Sequence, residues 1–419
     1  VFLNRGIKRG YYMAVRQTLF RDQVLSDRER KNLAILDVIR KSGPVTRTEI
    51  SKVTKLNIVT VSNYVNNYID KNLIIERGFD VSTGGRKPTL VELNAKMGNV
   101  IGIDIGPVNM VAVITDLTNT VIGKTKRPRP NGPMSEVITS SIEMVYEITE
   151  KSKVERNKIK GVGLGVSGVI DSIAGTIRDT DPTRGRTTGN YTSVKSLVQK
   201  EFNIPTFVGN DATVAAFGEK RLGLEQEIDD MLYVYSDVGC GIIIKGEIYC
   251  GAGGSAGEMQ LTADNPEADL KDKDPSYLRP WGVDLGITQE ARQMLSKEKV
   301  ESKIMDLAGD DLDNITPDII IEAAKAKDKI AMEIIENAGA NLGIRIAYLV
   351  NLFNPEVVVI GGGIEQAGEL LLGPVKKTVR KLAFEEPANT VKIVPSRLGD
   401  SAVALGAAAL VLREIFAQI

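Results

Sequence analysis

Val100-Ile101-Gly102-Ile103-Asp104-Ile105-Gly106 is the stretch on which the fold turns. It reads as a buried strand that ends in an aspartate and a glycine. Val111-Ala112-Val113-Ile114-Thr115-Asp116 is its expected hairpin mate. The same form recurs along the chain. Gly161-Val162-Gly163-Leu164-Gly165-Val166 runs into Ser167-Gly168-Val169-Ile170-Asp171, and Phe207-Val208-Gly209 runs into Asn210-Asp211 and an alanine-rich helix ending near Glu219. Leu232-Tyr233-Val234-Tyr235 leads into Ser236-Asp237-Val238-Gly239-Cys240-Gly241, and Val357-Val358-Val359-Ile360 into Gly361-Gly362-Gly363. One glycine turn after a strand is commonplace; the order and spacing of these are specific. From about Met97 the pattern is one of alternating strands and helices, the mark of an α/β body.

Working outward, the chain has 419 residues, enough for two or three domains, and its composition is that of an ordinary globular protein. It contains no histidine and two cysteines, Cys240 and Cys250. Ser-His-Asp and Cys-His nucleophile systems, HExxH metal sites and imidazole bases are therefore excluded. Two cysteines without CxxC spacing fit a reducing cytoplasm better than a disulfide framework. No stretch approaches the roughly 18 apolar residues of a membrane span. The near-zero net charge is uneven. Up to Lys96 there are 18 lysines and arginines against 9 aspartates and glutamates, and beyond it 35 against 45. A basic head on an acidic body suits a head that meets a polyanion.

Residues 1–25 are expected to form a basic, flexible arm with Arg5, Lys8, Arg9, Arg16 and Arg21; they lack the apolar core and cleavage site of a secretory signal. The valine start with Met13 following leaves two expected beginnings, a GTG codon or Met13. Ser26-Asp27-Arg28-Glu29 has the form of a capping box, followed by Leu33, Leu36 and Ile39 at helical spacing and a stop at Ser42-Gly43-Pro44. Thr46-Arg47-Thr48-Glu49 repeats the box, opening a short helix with Ile50 and Val53 inward. Asn57 then caps a third helix to about Lys71, with Ile58, Val61, Val65 and Ile69 inward. Its other face carries Asn57, Thr60, Asn63, Asn66 and Asn67, side chains that can read base edges. Leu73-Ile74-Ile75-Glu76 and Thr89-Leu90-Val91-Glu92-Leu93 read as two strands around Ser82-Thr83-Gly84-Gly85-Arg86-Lys87-Pro88. Three helices and such a hairpin make a winged helix-turn-helix over residues 26–96. The expected DNA contacts are Arg47, Asn57, Val59, Thr60, Asn63, Arg86 and Lys87.

From Ser26 to Ile419 the sequence resembles the ROK family (repressors, open reading frames and kinases), in particular its transcriptional-regulator branch. The resemblance rests on Thr83-Gly84-Gly85-Arg86-Lys87-Pro88, Asp104-Ile105-Gly106, Gly209-Asn210-Asp211-Ala212, Gly257-Glu258, Gly361-Gly362-Gly363, and Gly399-Asp400 to Gly406. It implies a winged helix-turn-helix followed by an α/β two-lobed actin-like ATPase (ribonuclease H-like) sugar-kinase fold. Lobe 1 is expected over 97–208 plus 402–419 and lobe 2 over 209–401, the C-terminal helix returning to the first lobe. The cleft between them holds a sugar and, in kinases, ATP. By the same resemblance Ser167, Gly168, Asn210, Asp211 and Glu258 are the expected sugar-binding residues. Asp104, Gly106, Gly239, Gly241, Gly361 and Gly362 are the expected, degenerate, nucleotide-binding ones.

Three departures set this chain apart from the kinases it resembles. The first phosphate loop, usually Asp-x-Gly-Gly-Thr, reads Asp104-Ile105-Gly106-Pro107-Val108, which removes an N–H donor and a hydroxyl. Asp237 stands where kinases place glycine, aiming a carboxylate at a triphosphate. Leu261 replaces the histidine that follows the Gly-Glu pair, and Leu261 to Glu290 contains no Cys or His, so no Cys/His zinc site is expected. Arg184, Arg186 and Tyr191 depart from the family pattern and suit an anionic sugar. The expectation is thus a cytoplasmic, sugar-responsive transcriptional regulator, without bound metal or cofactor. Its expected partners are operator DNA and a sugar effector, and it is expected to act as a homodimer or homotetramer. The alternative is an ATP- and Mg²⁺-dependent sugar kinase that also binds DNA, with Asp211 as general base. Leu295 to Met305 and Ile330 to Val350 are amphipathic candidates for an oligomer surface, with lobe core the stronger expectation for both.

Overall fold

A computed structural model describes residues 25–79, 88–168, 170–171, 175–178, 191–224, 228–235, 239–252, 254–259, 285–297 and 301–419. The head begins with helix α1 (Asp27–Ser42), capped by Ser26. Ser26 Oγ accepts from the Glu29 N–H at 3.2 Å and Glu29 Oε2 accepts from the Ser26 N–H at 2.7 Å, so both orphan donors are satisfied. Gly43, at φ 67°, ends it. After strand β1 (Val45–Thr46), Thr46 caps α2 (Arg47–Thr54) with the same box. Asn57 caps α3 (Ile58–Asp70), its Oδ1 accepting from the Val59 N–H at 2.8 Å. Strands β2 (Ile74–Phe79) and β3 (Thr89–Leu93) form an antiparallel hairpin, which β1 extends in the order β1-β3-β2.

Three inward positions differ from the sequence expectation. In α3 the buried residues are Val61, Val65 and Tyr68; Ile69 is half-buried and Ile58 is 42% exposed. The Tyr68 hydroxyl donates to Asn32 Oδ1 at 2.6 Å, which fixes the buried stripe on Tyr68. In α2 only Ile50 is buried, and Val53 is 65% exposed.

The body starts with β4 (Asn99–Ile105), β5 (Asn109–Asp116) and β6 (Val121–Pro128), followed by α4 (Met134–Lys151) and β7 (Ile159–Val166). Short strands β8 (Ile170–Asp171), β9 (Thr176–Arg178) and β10 (Tyr191–Ser193) form a small sheet. After them come α5 (Val194–Phe202) and β11 (Thr206–Asn210). The first large sheet has the order β11-β7-β4-β5-β6, with β11, β7 and β4 parallel. Next come α6 (Asp211–Gly218), a π-turn at Glu219–Gly223, and β12 (Met231–Tyr235), β13 (Gly239–Ile244) and β14 (Glu247–Ile248). Helices α7 (Ile287–Lys297), α8 (Lys303–Ala308), α9 (Pro317–Lys325) and α10 (Lys329–Phe353) lead to β15 (Val357–Gly361). Then follow α11 (Glu369–Leu382), α12 (Glu385–Thr390), β16 (Lys392–Pro395) and α13 (Ala402–Gln418). The second sheet, β14-β13-β12-β15-β16, is likewise mixed. The stretch from Leu295 to Met305 is two helices rather than one, because Ser302 caps α8, its Oγ accepting from the Ile304 N–H. The stretch from Ile330 to Val350 lies within α10, whose Ile334, Ile335, Leu342 and Ile346 enter the core of the second sheet.

Helix α13 ties the parts together. It lies so close on the first sheet that a Cβ at Gly102 would fall 1.8 Å from the Ala404 oxygen, and one at Gly163 2.2 Å from the Ala407 oxygen. Its far end enters the head, where Phe416 and Ala417 share one apolar cluster with Leu33, Leu36, Val65 and Tyr68. Asn32 Nδ2 donates to the Ala417 oxygen at 3.2 Å, and Lys71 Nζ to the Ile419 oxygen at 2.7 Å. Head and body thus share a continuous core. Among the described residues no helix is long and apolar enough to cross a membrane.

Candidate functional site

Strands β4, β7 and β11 run parallel in one register: Ile105 pairs with Val166, and Val166 with Asn210. Their carboxyl ends therefore deliver Asp104-Ile105-Gly106, Ser167-Gly168 and Asn210-Asp211 to one edge, the place where open α/β sheets bind ligands. Asn210 caps α6, its Oδ1 accepting from the Thr213 N–H at 3.1 Å, while its Nδ2 donates to the Gly168 oxygen at 3.3 Å. Gly168 takes φ 106°, a conformation that suits glycine. Asp211 is buried, and both carboxylate oxygens are engaged. Oδ1 accepts from the Ala212 N–H at 2.7 Å and Oδ2 accepts the Ser167 hydroxyl. Burial nevertheless raises its pKa above the usual carboxylate value, against the pull of those hydrogen bonds.

Glu258 arrives from the other lobe. Gly257, at φ 99°, presses against β13 so closely that a Cβ would fall 1.8 Å from the Cys240 oxygen, and its own carbonyl accepts from the Cys240 N–H at 2.7 Å. This pins Glu258 opposite Gly239 in a single bridge. Partial burial of its carboxyl and then the negative charge of Asp211 raise its pKa, although Glu258 as a residue is exposed. Ser167, Gly168, Asn210, Asp211 and Glu258 are thus brought together. Their acceptors and amides match the hydroxyls of a polyol.

The expected nucleotide side is different. Burial, then the like charges of Asp211 and Asp400, push the Asp104 carboxyl well above the usual range, and its Oδ1 has no hydrogen-bond partner among the described residues. Asp400 is itself held below its ordinary value. Burial acts the other way and is outweighed by Lys124, which donates to it at 2.6 Å, and by Lys126. Gly106 leads into Pro107 and the exposed Val108. Gly239 and Gly241 belong to β13 and face α6, where a Cβ at Gly241 would come within 2.2 Å of the Ala212 oxygen and one at Gly239 3.2 Å from the Ala212 Cβ; close packing accounts for Gly241. Gly361 makes room for Tyr233, and Gly362 and Gly363 adopt φ 97° and 103°. The Gly363 N–H donates to Glu365 Oε2 at 2.7 Å. A carboxylate of the chain itself, its pKa raised by burial, thus takes an amide of this glycine turn. Sequence reasoning missed Glu365; its only signal was an acid two residues beyond a triple glycine. Burial pushes the Cys240 thiol up to about 12, too high for a thiolate nucleophile at neutral pH.

In the head, Val59 is 64% exposed at the start of α3, with Ile58 beside it, and Asn57 and Asn63 are exposed on the same helix with Thr60 partly so. Arg47 is drawn along the flank of α3, its Nη2 donating to Asn66 Oδ1 at 3.2 Å and to Glu76 Oε1 at 3.4 Å. The arm at 1–24, Arg86 and Lys87, Arg184 and Arg186, Asp237, and the segment from Leu261 to 284 lie outside the described residues.

The chain is 30% identical over 390 residues to a xylose repressor of Caldicellulosiruptor bescii, covering 91% of this chain and 95% of that one. The crystal structure of a ROK family transcriptional regulator, a homologue of the Escherichia coli MLC protein, shares the fold. It has a TM-score of 0.73 and 20% identity over 93% of this chain and 97% of its own. A ROK family glucokinase from Streptomyces griseus, in complex with glucose and AMPPNP, matches 75% of this chain and 99% of its own. Its TM-score is 0.65 and its identity 26%. Residues 100–268 and 286–414 match the ROK family pattern, and the chain belongs to that family.

Proposed function

We propose that this chain is a sugar-responsive transcriptional repressor. A winged helix-turn-helix over residues 26–96 binds operator DNA, and a sugar in the cleft at Ser167, Gly168, Asn210, Asp211 and Glu258 alters that binding. The observation that carries the reading is the shared core: the helix with an exposed Val59–Thr60–Asn63 face is built on the same apolar cluster as α13, which starts at the cleft. An arrangement of that kind suits a sensor better than two independent modules. In this reading the N-terminal part of α3 enters the major groove. Thr60 and Asn63 read base edges, while Ile58 and Val59 meet thymine methyl groups. Two copies of the chain pair two half-sites about one helical turn apart.

The body binds without phosphorylating. Pro107 removes a donor from the first phosphate loop, and Glu365 occupies the Gly363 amide. Asp211 keeps the position of a kinase base, but among the described residues Pro107 and the Glu365 carboxylate on the Gly363 amide both disfavour a triphosphate. The kinase reading has a direct test: sugar-dependent ADP release in the presence of ATP and Mg²⁺, abolished by Asp211→Asn, would establish it in place of the proposal.

The repressor reading is tested by selecting bound sequences from a random duplex pool with the full chain, then titrating the selected duplex with and without pentoses, hexoses and aminosugars. One sugar should weaken operator binding. Thr60→Ala combined with Asn63→Ala should cost about 1–3 kcal/mol at the selected sequence and relax its preference, leaving binding to random DNA nearly unchanged. Selection that returns no consensus, or an unaffected double variant, rejects the winged-helix assignment.

A further inference from the structure

Two elements leave the cleft and end at the head. One is α13. The other is α6, which starts at Asp211, runs into the π-turn Glu219–Gly223 and delivers Arg221 to Asp37 on α1 of the head. Arg221 Nη1 bonds both oxygens of the Asp37 carboxylate. Helix α6 is held rigidly along its length. A Cβ at Gly241 or Gly406 would strike its backbone, at the Ala212 and Val214 oxygens, and one at Gly218 would come within 2.9 Å of Gly406 Cα. The π-turn is fastened as well. Buried Glu219 accepts from the Ser396 hydroxyl and from the Leu398 N–H at 3.0 Å, in the segment that opens α13. The Arg221 guanidinium lies 5.0 Å over the ring of Phe217, in the last turn of α6. A shift at the Asp211 end has little freedom to dissipate before it reaches Arg221.

At the receiving end the head offers a second arrangement. Asp37 also lies 3.5 Å from Nε of Arg40, whose side chain is 7% exposed and whose Nη2 has no hydrogen-bond partner among the described residues. One carboxylate thus stands between two guanidiniums, one engaged through both its oxygens and the other holding a donor in reserve. Beside the pair is a cavity of about 140 Å³ between head and body, lined by Asp37 and Lys41 on one side and Arg221, Glu247 and Arg413 on the other. A close-packed seam would resist re-seating; this one has room for it.

We propose that Asp37 is the switch contact between cleft and head, exchanging its partner between Arg221 of the body and Arg40 of its own helix as the cleft fills. The inference rests on the repressor reading above and deepens it. Arg221 is a positioning residue: it acts on the head through Asp37 and takes no part in holding the sugar. Loss of Arg221 leaves Asp37 to Arg40, and loss of Arg40 leaves it to Arg221, so the two losses trap opposite states.

The test uses the full chain, a labelled duplex from the selection experiment, and D-xylose, D-glucose and N-acetylglucosamine as probes. Wild-type operator affinity should change by tenfold or more with the effective sugar, within the usual range of coupling. In Arg221→Gln and in Arg40→Gln the change should fall below twofold, while sugar affinity measured by calorimetry stays within about threefold of wild type. The sugar-free operator affinities of the two variants should move in opposite directions, which a mere loss of head stability would not produce. A full sugar response in Arg221→Gln, or sugar-free shifts of the same sign in both variants, overturns the switch while leaving the repressor reading intact. A wild-type chain whose operator affinity ignores all three sugars overturns that reading and the switch with it.

Discussion

Asp104, near the end of β4, and Asp211, just past the end of β11, stand at the parallel part of one mixed sheet, each buried and each with a raised pKa, yet their surroundings differ. Asp211 has both oxygens satisfied, by the Ser167 hydroxyl and the Ala212 N–H. Asp104 has an oxygen without a partner among the described residues and two like charges nearby. The contrast extends to the loops around them. On the Asp211 side, Asn210 fastens α6 and Gly168 together, and Glu258 is bridged to Gly239 from the second sheet. On the Asp104 side, a proline follows the loop glycine and Glu365 fills a glycine turn. A binding site keeps its hydrogen bonds satisfied because an unsatisfied buried group costs stability in every molecule. The two halves of this cleft differ in that respect, and under the proposed function that difference would separate sugar recognition from phosphoryl transfer within one fold.

The largest effect belongs to the satisfied side. Asp211→Ala removes a charged acceptor and should weaken sugar binding by about 100-fold, corresponding to roughly 3 kcal/mol for charge-assisted hydrogen bonds. Calorimetric titration measures it. A variant that binds sugar as wild type does would place the ligand elsewhere and erase the contrast between the two halves.

Next in size is repair of the other side. Pro107→Gly with Val108→Thr restores an N–H and a hydroxyl to the first loop, and Glu365→Gln removes the carboxylate charge from the Gly363 turn. Together they should tighten binding of the nucleotide analogue AMPPNP by about tenfold, or ~1.4 kcal/mol. Glu365→Gln alone should give part of the gain. An unchanged affinity in the triple variant would mean that the nucleotide side is closed by something other than these three residues.

Much of this contrast is legible in the sequence. Local signals carried the head: Ser26 with Glu29 and Thr46 with Glu49 form their boxes because each needs only its own first turn. Strand-to-glycine turns placed Asp104, Ser167 and Asp211, and parallel pairing then brought them to one edge. Pro107 announced a lost donor by its chemistry alone. What remained hidden depends on contacts distant in sequence or on the exact phase of a helix. Asp37 and Arg221 meet across 184 positions, and no local pattern pairs them. Tyr68 displaced the expected stripe because a hydroxyl partner on α1, Asn32, settles which side of α3 faces inward. Glu365 could be read as acidic, but not as folding back onto the Gly363 amide.

The smallest effect tests whether Asp104 is a residual charge. Its folded pKa lies well above the ordinary 3.8, raised by burial and by Asp211 and Asp400. The folded chain therefore holds the proton more tightly than the unfolded chain. Stability is greatest below the ordinary value and is lost as pH rises from there through the raised folded value. Asp104→Asn removes the charge and adds a donor beside two acidic neighbours. It should raise Tm by a few degrees at pH 8, and the gain should shrink towards pH 5, where the wild-type carboxyl is increasingly protonated. Asp211→Asn should show no such gain, because its carboxylate already accepts two hydrogen bonds that an amide satisfies less well. Thermal melts of the two variants at both pH values decide the matter. Equal stabilisation by both substitutions would show that Asp211 is as poorly accommodated as Asp104, and a loss on substituting Asp104 would show that its charge is compensated.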